Sequence, residues 1–380
     1  MIDKRIRICY NKKKQNLKRF KFKTEVTGAA NADPSPSGFL CGSGKMAVGI
    51  KDIAKRANCS EATVSLALRG SSLVSEKTRA AVLEIAKDIG YIPNLAARKL
   101  ARRESGCLGL IIPDIENVFY ASLVKHINAA TKENGYDLII AVSENNPAAE
   151  KKIIANMIEN RVEGVVFVPM NKANPDPGYL SAFSDYHIPY VFCTDYYASM
   201  QGAAPVIMSD LEDGMYMLTK EVVRLGYQHL VYLTGDDAVM SLRLRQAGFE
   251  RAAAEANTDS YIHRLETLNY RAAHEAIGEI LEKRPDTDAF ICVNDMIAAG
   301  TLNALSERNV PIPQKGVAGF DNVIFSRISY PKISTVEQDI KTIAKKSVTV
   351  LLEKKENKEN IMIPTKIIKR ESLKGDPSCI

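Results

Sequence analysis

Nowhere in its 380 residues does the chain carry an apolar run of 18 or more, so no transmembrane helix is expected. Its N-terminus has basic residues with no apolar stretch behind them, which argues against a secretory signal. The seven cysteines (Cys9, Cys41, Cys59, Cys107, Cys193, Cys292, Cys379) are scattered, with no C-x-x-C and no nearby histidine pairing. They read as reduced thiols of a cytoplasmic protein, with neither a disulfide framework nor a metal site. Enzyme signatures are missing too. No G-x-G-x-x-G follows the first strand of the α/β part, no G-x-S-x-G occurs, and His126, His187, His229, His263 and His274 have no evident nucleophile or metal partner. Gly42-Ser43-Gly44-Lys45 hints at a phosphate loop, but Phe39 occupies the first glycine position and Met46 follows the lysine. Neither an enzyme nor a cofactor is expected.

Charge is present but unevenly divided. The first 45 residues hold 11 Lys/Arg against 3 Asp/Glu, and residues 46–103 hold 11 against 5. With +6 for the whole chain, the remaining 277 residues carry a net −8. A basic end on an acidic body suits a protein that touches DNA with one end only. Residues 1–45 combine a basic run, K-K-K-Q-N-L-K-R-F-K-F-K, with a Pro/Gly/Ser stretch. They read as an extension outside the fold. It is either an arm adding phosphate contacts or translated upstream sequence, with Met46 as the working start.

Residues 48–103 are the informative segment. Spacing predicts a helix from Ile50 to Ala57 with Ile53, Ala54 and Ala57 on one face. A turn of only Asn58, Cys59 and Ser60 precedes a second helix, capped by Ser60, with Val64, Ala67 and Leu68 inward. Two helices so closely joined cross sharply, as in a helix-turn-helix, and the second is presented to the major groove of double-stranded DNA. Glu61, Ala62, Ser65 and Leu66 then reach base edges, and Thr63 and Ser65 can bond phosphates. Glu61 has two readings of equal weight: acceptor from a cytosine amine, or carboxylate stabilising the helix dipole. Ser75 caps a third helix with Ala81, Val82, Ile85, Ala86 and Ile89 as its stripe, and Gly90 ends it. Beyond Pro93, Asn94 can cap a short basic helix, L-A-A-R-K-L-A-R-R, too short to be stable alone in water.

From Gly106 onward short apolar strands alternate with amphipathic helices: C-L-G-L-I-I-P-D-I, D-L-I-I-A-V-S, E-G-V-V-F-V-P-M, P-Y-V-F-C-T-D, A-P-V-I-M-S-D, H-L-V-Y-L-T-G, Y-I-H-R-L-E, D-A-F-I-C-V-N-D, K-G-V-A-G-F-D and I-M-I-P-T-K-I-I-K-R. Such strands belong to parallel sheets covered on both faces, and their number calls for two α/β lobes. Ligands in such folds bind beyond the carboxyl ends of strands, in the cleft. The polar residues at those ends are Asp114, Asn117, Asp195, Asn294, Asp295 and Asp321, with Arg245 opening a helix just after such a strand. Asn, Asp and Arg facing a cleft suit hydroxyl or carboxylate groups. Each carboxylate has an alternative as a turn or helix cap.

The motifs I-K-D-I-A-K-R-A, S-x-A-T-V-S, V-S-E-x-T-R and G-Y-x-P-N-x-x-A-R-x-L resemble the LacI-type transcriptional regulators, and the resemblance runs from about Ala47 to Ile380. It implies an all-α helix-turn-helix domain over 46–92 and a hinge helix with linker over 93–105. An effector-binding and dimerisation domain follows over 106–380, two-lobed and periplasmic-binding-protein-like, with crossings near Met208, Gln338 and Met362. By resemblance Glu61, Ala62 and Leu66 choose the operator. Asn94 opens the hinge, Ala97 and Arg98 lie against the minor groove, and Leu100 inserts between base pairs. Arg245, Asn294 and Asp321 match main effector-binding positions, and Phe119 and Tyr120 match an aromatic pair. The chain departs from the family at Gly49 (usually Thr or Ser), at Leu66 (commonly Arg or His), at Val118 (Pro) and at Asn322 (Asp). Asp195 lies one residue later than usual. No leucine heptad follows L-L-E-K-K-E-N-K-E-N, so a two-fold homodimer without a tetramerisation helix is expected. The expected function is a sequence-specific DNA-binding regulator, a repressor, controlled by a small polar effector such as a sugar, with a nucleobase or a phosphorylated protein corepressor as the open alternatives. A transport solute-binding protein is the alternative; it would need an export signal and no helix-turn-helix.

Overall fold

The computed structural model describes residues 49–91, 105–173, 176–353 and 359–375. They fall into two units, the first ending at Pro93 and the second beginning at Asn94. No described helix is long and apolar enough to cross a membrane.

The first unit has three helices, α1 (Ile50–Ala57), α2 (Glu61–Leu68) and α3 (Glu76–Asp88). Ile53, Ala54, Val64, Ala67, Val74, Val82 and Ala86 form its small core. The tight α1–α2 turn works because Asn58 adopts the left-handed conformation (φ 50°), and Cys59 N–H donates to the Ala54 carbonyl at 3.1 Å. Gly49 has no side chain to cap α1; instead its own N–H donates to the Asp52 carboxylate at 2.9 Å. Ser60 accepts from Thr63 N–H at 3.0 Å and Ser75 from Thr78 N–H at 3.3 Å, so both serines cap as expected. One expectation fails. Ala81 is exposed, because at 100° per residue it turns away from the buried line through Val82 and Ala86.

The second unit begins with β1 (Cys107–Ile112), α4 (Val118–Glu133), β2 (Asp137–Val142), α5 (Pro147–Glu159) and β3 (Val165–Phe167). Then come α6 (Ser181–Asp185), β4 (Tyr190–Cys193), β5 (Val206–Ser209), α7 (Leu211–Arg224), β6 (His229–Thr234), α8 (Met240–Ala256) and β7 (Asp259–Arg264). The series ends with α9 (Tyr270–Lys283), β8 (Ala289–Cys292), α10 (Asp295–Glu307), β9 (Gly316–Asp321), α11 (Ile324–Ile328), β10 (Ser334–Glu337), α12 (Ile340–Glu353), β11 (Ile361–Ile363) and β12 (Lys366–Ile368).

Two six-stranded sheets result, in the orders β11-β5-β4-β3-β1-β2 and β12-β10-β9-β8-β6-β7. Every pairing is parallel except β12 with β10. The chain passes from the first lobe to the second after β5, returns after β10 so that α12 packs on α4, and leaves again between β11 and β12. I-M-I-P-T-K-I-I-K-R is thus two strands in two sheets, where the sequence suggested one. Pro364, which has no N–H for a ladder, stands at the break. Strand β10, S-T-V-E, was not expected, since its four residues are mostly polar. It is nonetheless buried, with the Ser334 side chain bonded to Arg370. Helices α7 and α8 approach so closely at Gly248 that a Cβ there would run into the Glu212 carbonyl. That contact fixes where α8, and with it Arg245, meets the sheet.

Candidate functional site

In the first unit α2 presents Glu61 and Ala62 fully exposed, with Ser65 and Leu66 half-buried. Leu66 also packs against the small core, so only part of it is open to a base. Thr63 is half-buried and its hydroxyl lies 2.8 Å from Ser60 Oγ, within the cap. Lys51, Lys55, Arg56 and Arg69 are exposed on the same unit. The other expected DNA contacts, Asn94, Ala97, Arg98 and Leu100, lie outside the described residues, as do 1–45 and Met46.

In the second unit a cavity of about 460 Å³ opens at the carboxyl ends of both sheets. It is lined by Asp114, Asn117, Phe119 and Asp195 from the first lobe, and by Arg245, Asn294 and Asp321 from the second. All seven predicted effector residues therefore share one space. Their placement follows from local structure. Asn117 and Asn294 are the N-caps of α4 and α10, accepting from Phe119 and Ile297 N–H at 3.0 and 2.9 Å. Asp114 accepts from Glu116 N–H at 2.7 Å, a turn contact. The cap alternative and the cavity position are thus both realised, since a strand-to-helix turn supplies both.

The buried polar groups form two linked sets. Arg245 donates from one terminal nitrogen to the Val293 carbonyl at 2.9 Å and from the other to Asp321 at 3.1 Å, and stacks 4.3 Å over the Phe320 ring. Its Nε is buried with no hydrogen-bond partner among the described residues. Asp321 also accepts from Gln338 at 2.7 Å and has φ of 103°, an unusual backbone for a non-glycine. Burial pushes its carboxyl above the usual range, while Arg245 and Gln338 pull it back. Across the cleft, Asp195 accepts from Ser241 Oγ at 2.6 Å and Ser241 N–H at 3.1 Å. Ser241 stands in the first turn of α8, whose own N-cap, Val239, offers no side-chain bond. A carboxylate of one lobe thus caps a helix of the other and ties the two together. Burial raises the Asp195 carboxyl to about 6.

Asp295 does not belong to the cavity. It is fully buried in the second lobe, accepting from Val323 N–H at 2.7 Å and Thr335 Oγ1 at 2.5 Å. At the first position of α10 its side chain points into the sheet, opposite to its neighbour Asn294. Ser241, Gln338, Asn171, Lys172 and Glu266 also line the cavity, although none of them is among the expected effector-binding residues. Only Ser241 carried a signal, as the residue opening the helix that bears Arg245. The others sit in loops or at a crossing, which have no period to read. His229 and His274, expected at the surface, pair there with Asp259 and Glu307.

Residues 49–94 match the signature of the bacterial regulatory proteins of the lacI family, and residues 105–371 match that of periplasmic binding proteins and the sugar binding domain of the LacI family. The chain belongs to the LacI family. The HTH-type transcriptional regulator RegA of Clostridium saccharobutylicum is 30% identical over 335 residues, 86% of this chain and 99% of RegA. The ribose operon repressor of Halalkalibacterium halodurans is 28% identical over the same length, covering 86% and 97%. Among solved structures, a lac repressor dimer bound to operator and the anti-inducer ONPF shares the fold, with a TM-score of 0.77 at 24% identity over 86% of this chain and 98% of that one. The LacI-family protein is therefore a transcriptional regulator with a helix-turn-helix unit and a two-lobed α/β domain, as its motifs implied.

Proposed function

We propose that this protein is an effector-controlled repressor that acts in the cytoplasm as a homodimer on a pseudo-palindromic operator, with no catalytic activity and no cofactor. Glu61, Ala62, Thr63, Ser65 and Leu66 read the major groove. Asn94, Ala97, Arg98 and Leu100 serve the minor groove, where an inserted apolar side chain kinks the duplex. A small polyhydroxylated effector fills the interlobe cavity. The observation that carries this reading is the convergence of residues from Asp114 to Asp321 on one cavity, beside the buried, unpartnered Arg245 Nε. An unmet buried donor costs free energy until a ligand acceptor reaches it. Because Asp195 already joins the lobes, a ligand acts by its difference in affinity for the closed and open arrangements.

Selection from a random DNA pool, with and without a mixed sugar library, tests both halves. A two-fold palindrome with a central pyrimidine–purine step should be enriched, with affinity falling steeply as salt rises. A change of enrichment with sugar assigns the cavity its role. If low salt enriches no sequence, the DNA reading fails and a ligand-binding role alone remains.

A further inference from the structure

The cavity's charge is not neutral, and its imbalance says something about the ligand. Two carboxylates, Asp195 and Asp321, are buried in its wall against one guanidinium, Arg245. Asp321 is already paired with that guanidinium, so Arg245 offers no uncompensated positive charge. The hydrogen-bond donors to Asp195 among the described residues are neutral: Tyr196 N–H at 2.7 Å and the two groups of Ser241. They occupy Oδ1 twice and Oδ2 once, which leaves acceptor capacity on Oδ2. At the mouth stand Asp236 and Glu266, both exposed, and half-buried Asp114; among the described residues Lys172 is the cation facing them. Taken together, among the described residues five carboxylates face two cations around one space. In a recess with low-dielectric walls such an excess concentrates cations and repels anions. Phe119, Tyr120, Leu242 and Leu265 add an apolar patch to an otherwise polar wall, and it suits the flat face of a sugar ring.

We propose that the cavity takes a polyhydroxylated ligand bearing an ammonium group, an amino sugar or similar aminopolyol, and rejects phosphorylated and carboxylated ligands. The inference rests on the reading of the cavity as an effector site and narrows it. The ammonium is held in the field of Asp195 and the acidic mouth. A phosphate or carboxylate would instead lie among carboxylates, with exposed Lys172 as the uncompensated cation among the described residues.

The test is titration calorimetry of the full chain with matched sets of ligands. For glucose, galactose and mannose the neutral sugar, its 2-amino derivative, its 6-phosphate and its uronic acid are compared. On whichever scaffold binds, the amino form should bind about tenfold more tightly than the neutral one at low salt, and the anions should give no saturable heat. The double variant Asp236→Asn/Glu266→Gln alters two exposed side chains and should shrink that ratio to about threefold, with thermal stability unchanged. Equal binding of amino and neutral forms overturns the proposal, as does an anion that binds most tightly. In both cases the effector reading itself survives. If none of the twelve ligands binds while operator DNA still does, the sugar-effector reading has failed and this inference falls with it.

Discussion

The two surfaces proposed for function, the outer face of α2 and the interlobe cavity, are built on opposite terms. On the outer face of α2, Glu61 and Ala62 are exposed and have little to do in the fold, since the helix is held from behind by Val64 and Ala67 and Leu66 packs only partly on the core. In the interlobe cavity almost every polar side chain also has a structural task. Asn117 and Asn294 cap helices, Asp195 joins lobes, and Arg245 satisfies Asp321 and the Val293 carbonyl. A surface free of structural duties can change specificity without changing stability. A cavity that shares its residues with the scaffold cannot, and its ligand response and its stability should move together.

The largest separation of the two surfaces should come from Arg245→Leu. It strands a buried carboxylate and a buried carbonyl, and breaking one side of a buried pair costs about 3–5 kcal/mol. In urea melts the α/β domain should lose that much and the effector response should vanish. A variant with wild-type stability would show that the pair contributes nothing to the fold.

Acidity should divide the regions next. Asp295 is raised to about 8, by burial first and then by the nearby Asp321 charge, and Asp195 to about 6 by burial, from an ordinary value of 3.8. A carboxyl raised on folding makes the folded state bind more protons. Its contribution is therefore full below the ordinary value and is lost as pH climbs through the folded one. The α/β domain should lose stability between about pH 4 and 8, by at most about 1.4 kcal/mol per pH unit for each group. Asp295→Asn should flatten the upper part of that slope. An unchanged slope in the variant would mean that the Asp295 carboxyl does not carry it.

These differences also mark what could be read in advance. The helix-turn-helix was legible because its signals are local: Ser60 and Ser75 as caps, a three-residue turn, and a helical stripe. The one slip, Ala81, is a small residue that either face tolerates. The strands were legible as apolar runs, and polar residues at their carboxyl ends pointed to the cavity wall. What stayed hidden depends on long-range pairing. S-T-V-E becomes a strand only because β9 and β12 flank it. Nothing in the order Asn294-Asp295 says which side chain faces the cavity. Ser241 acquires its role from Asp195, 46 residues away in the other lobe.

A smaller effect compares like with like. Ser60 and Asn294 both cap helices, one in each region. Replacing either with alanine should cost about 1 kcal/mol of local stability. Only Asn294→Ala should also weaken the response to effector, and only Ser60→Ala should weaken operator binding. Calorimetric melts paired with DNA and ligand titrations would show this. Loss of DNA affinity in Asn294→Ala at saturating stability would mean the cavity controls the DNA unit even when empty.

Glu61→Gln should leave stability nearly untouched, within about 0.5 kcal/mol, since the residue is exposed and its only candidate structural role is a charge in the first turn of α2. The two readings of Glu61 separate here. A carboxylate that accepts from a cytosine amine discriminates between bases, and a bidentate or well-placed contact of this kind is worth about 1–3 kcal/mol at one base pair. Glutamine keeps an acceptor oxygen but adds a donor amide, which favours adenine. Sequence selection with the variant should therefore move the preference at one symmetric pair of operator positions from cytosine towards adenine, leaving the other positions and the salt slope as they were. If the selected operator stays the same while the melting temperature of the DNA unit falls, Glu61 serves the helix dipole and the reading of that base pair belongs to Ala62 and Leu66.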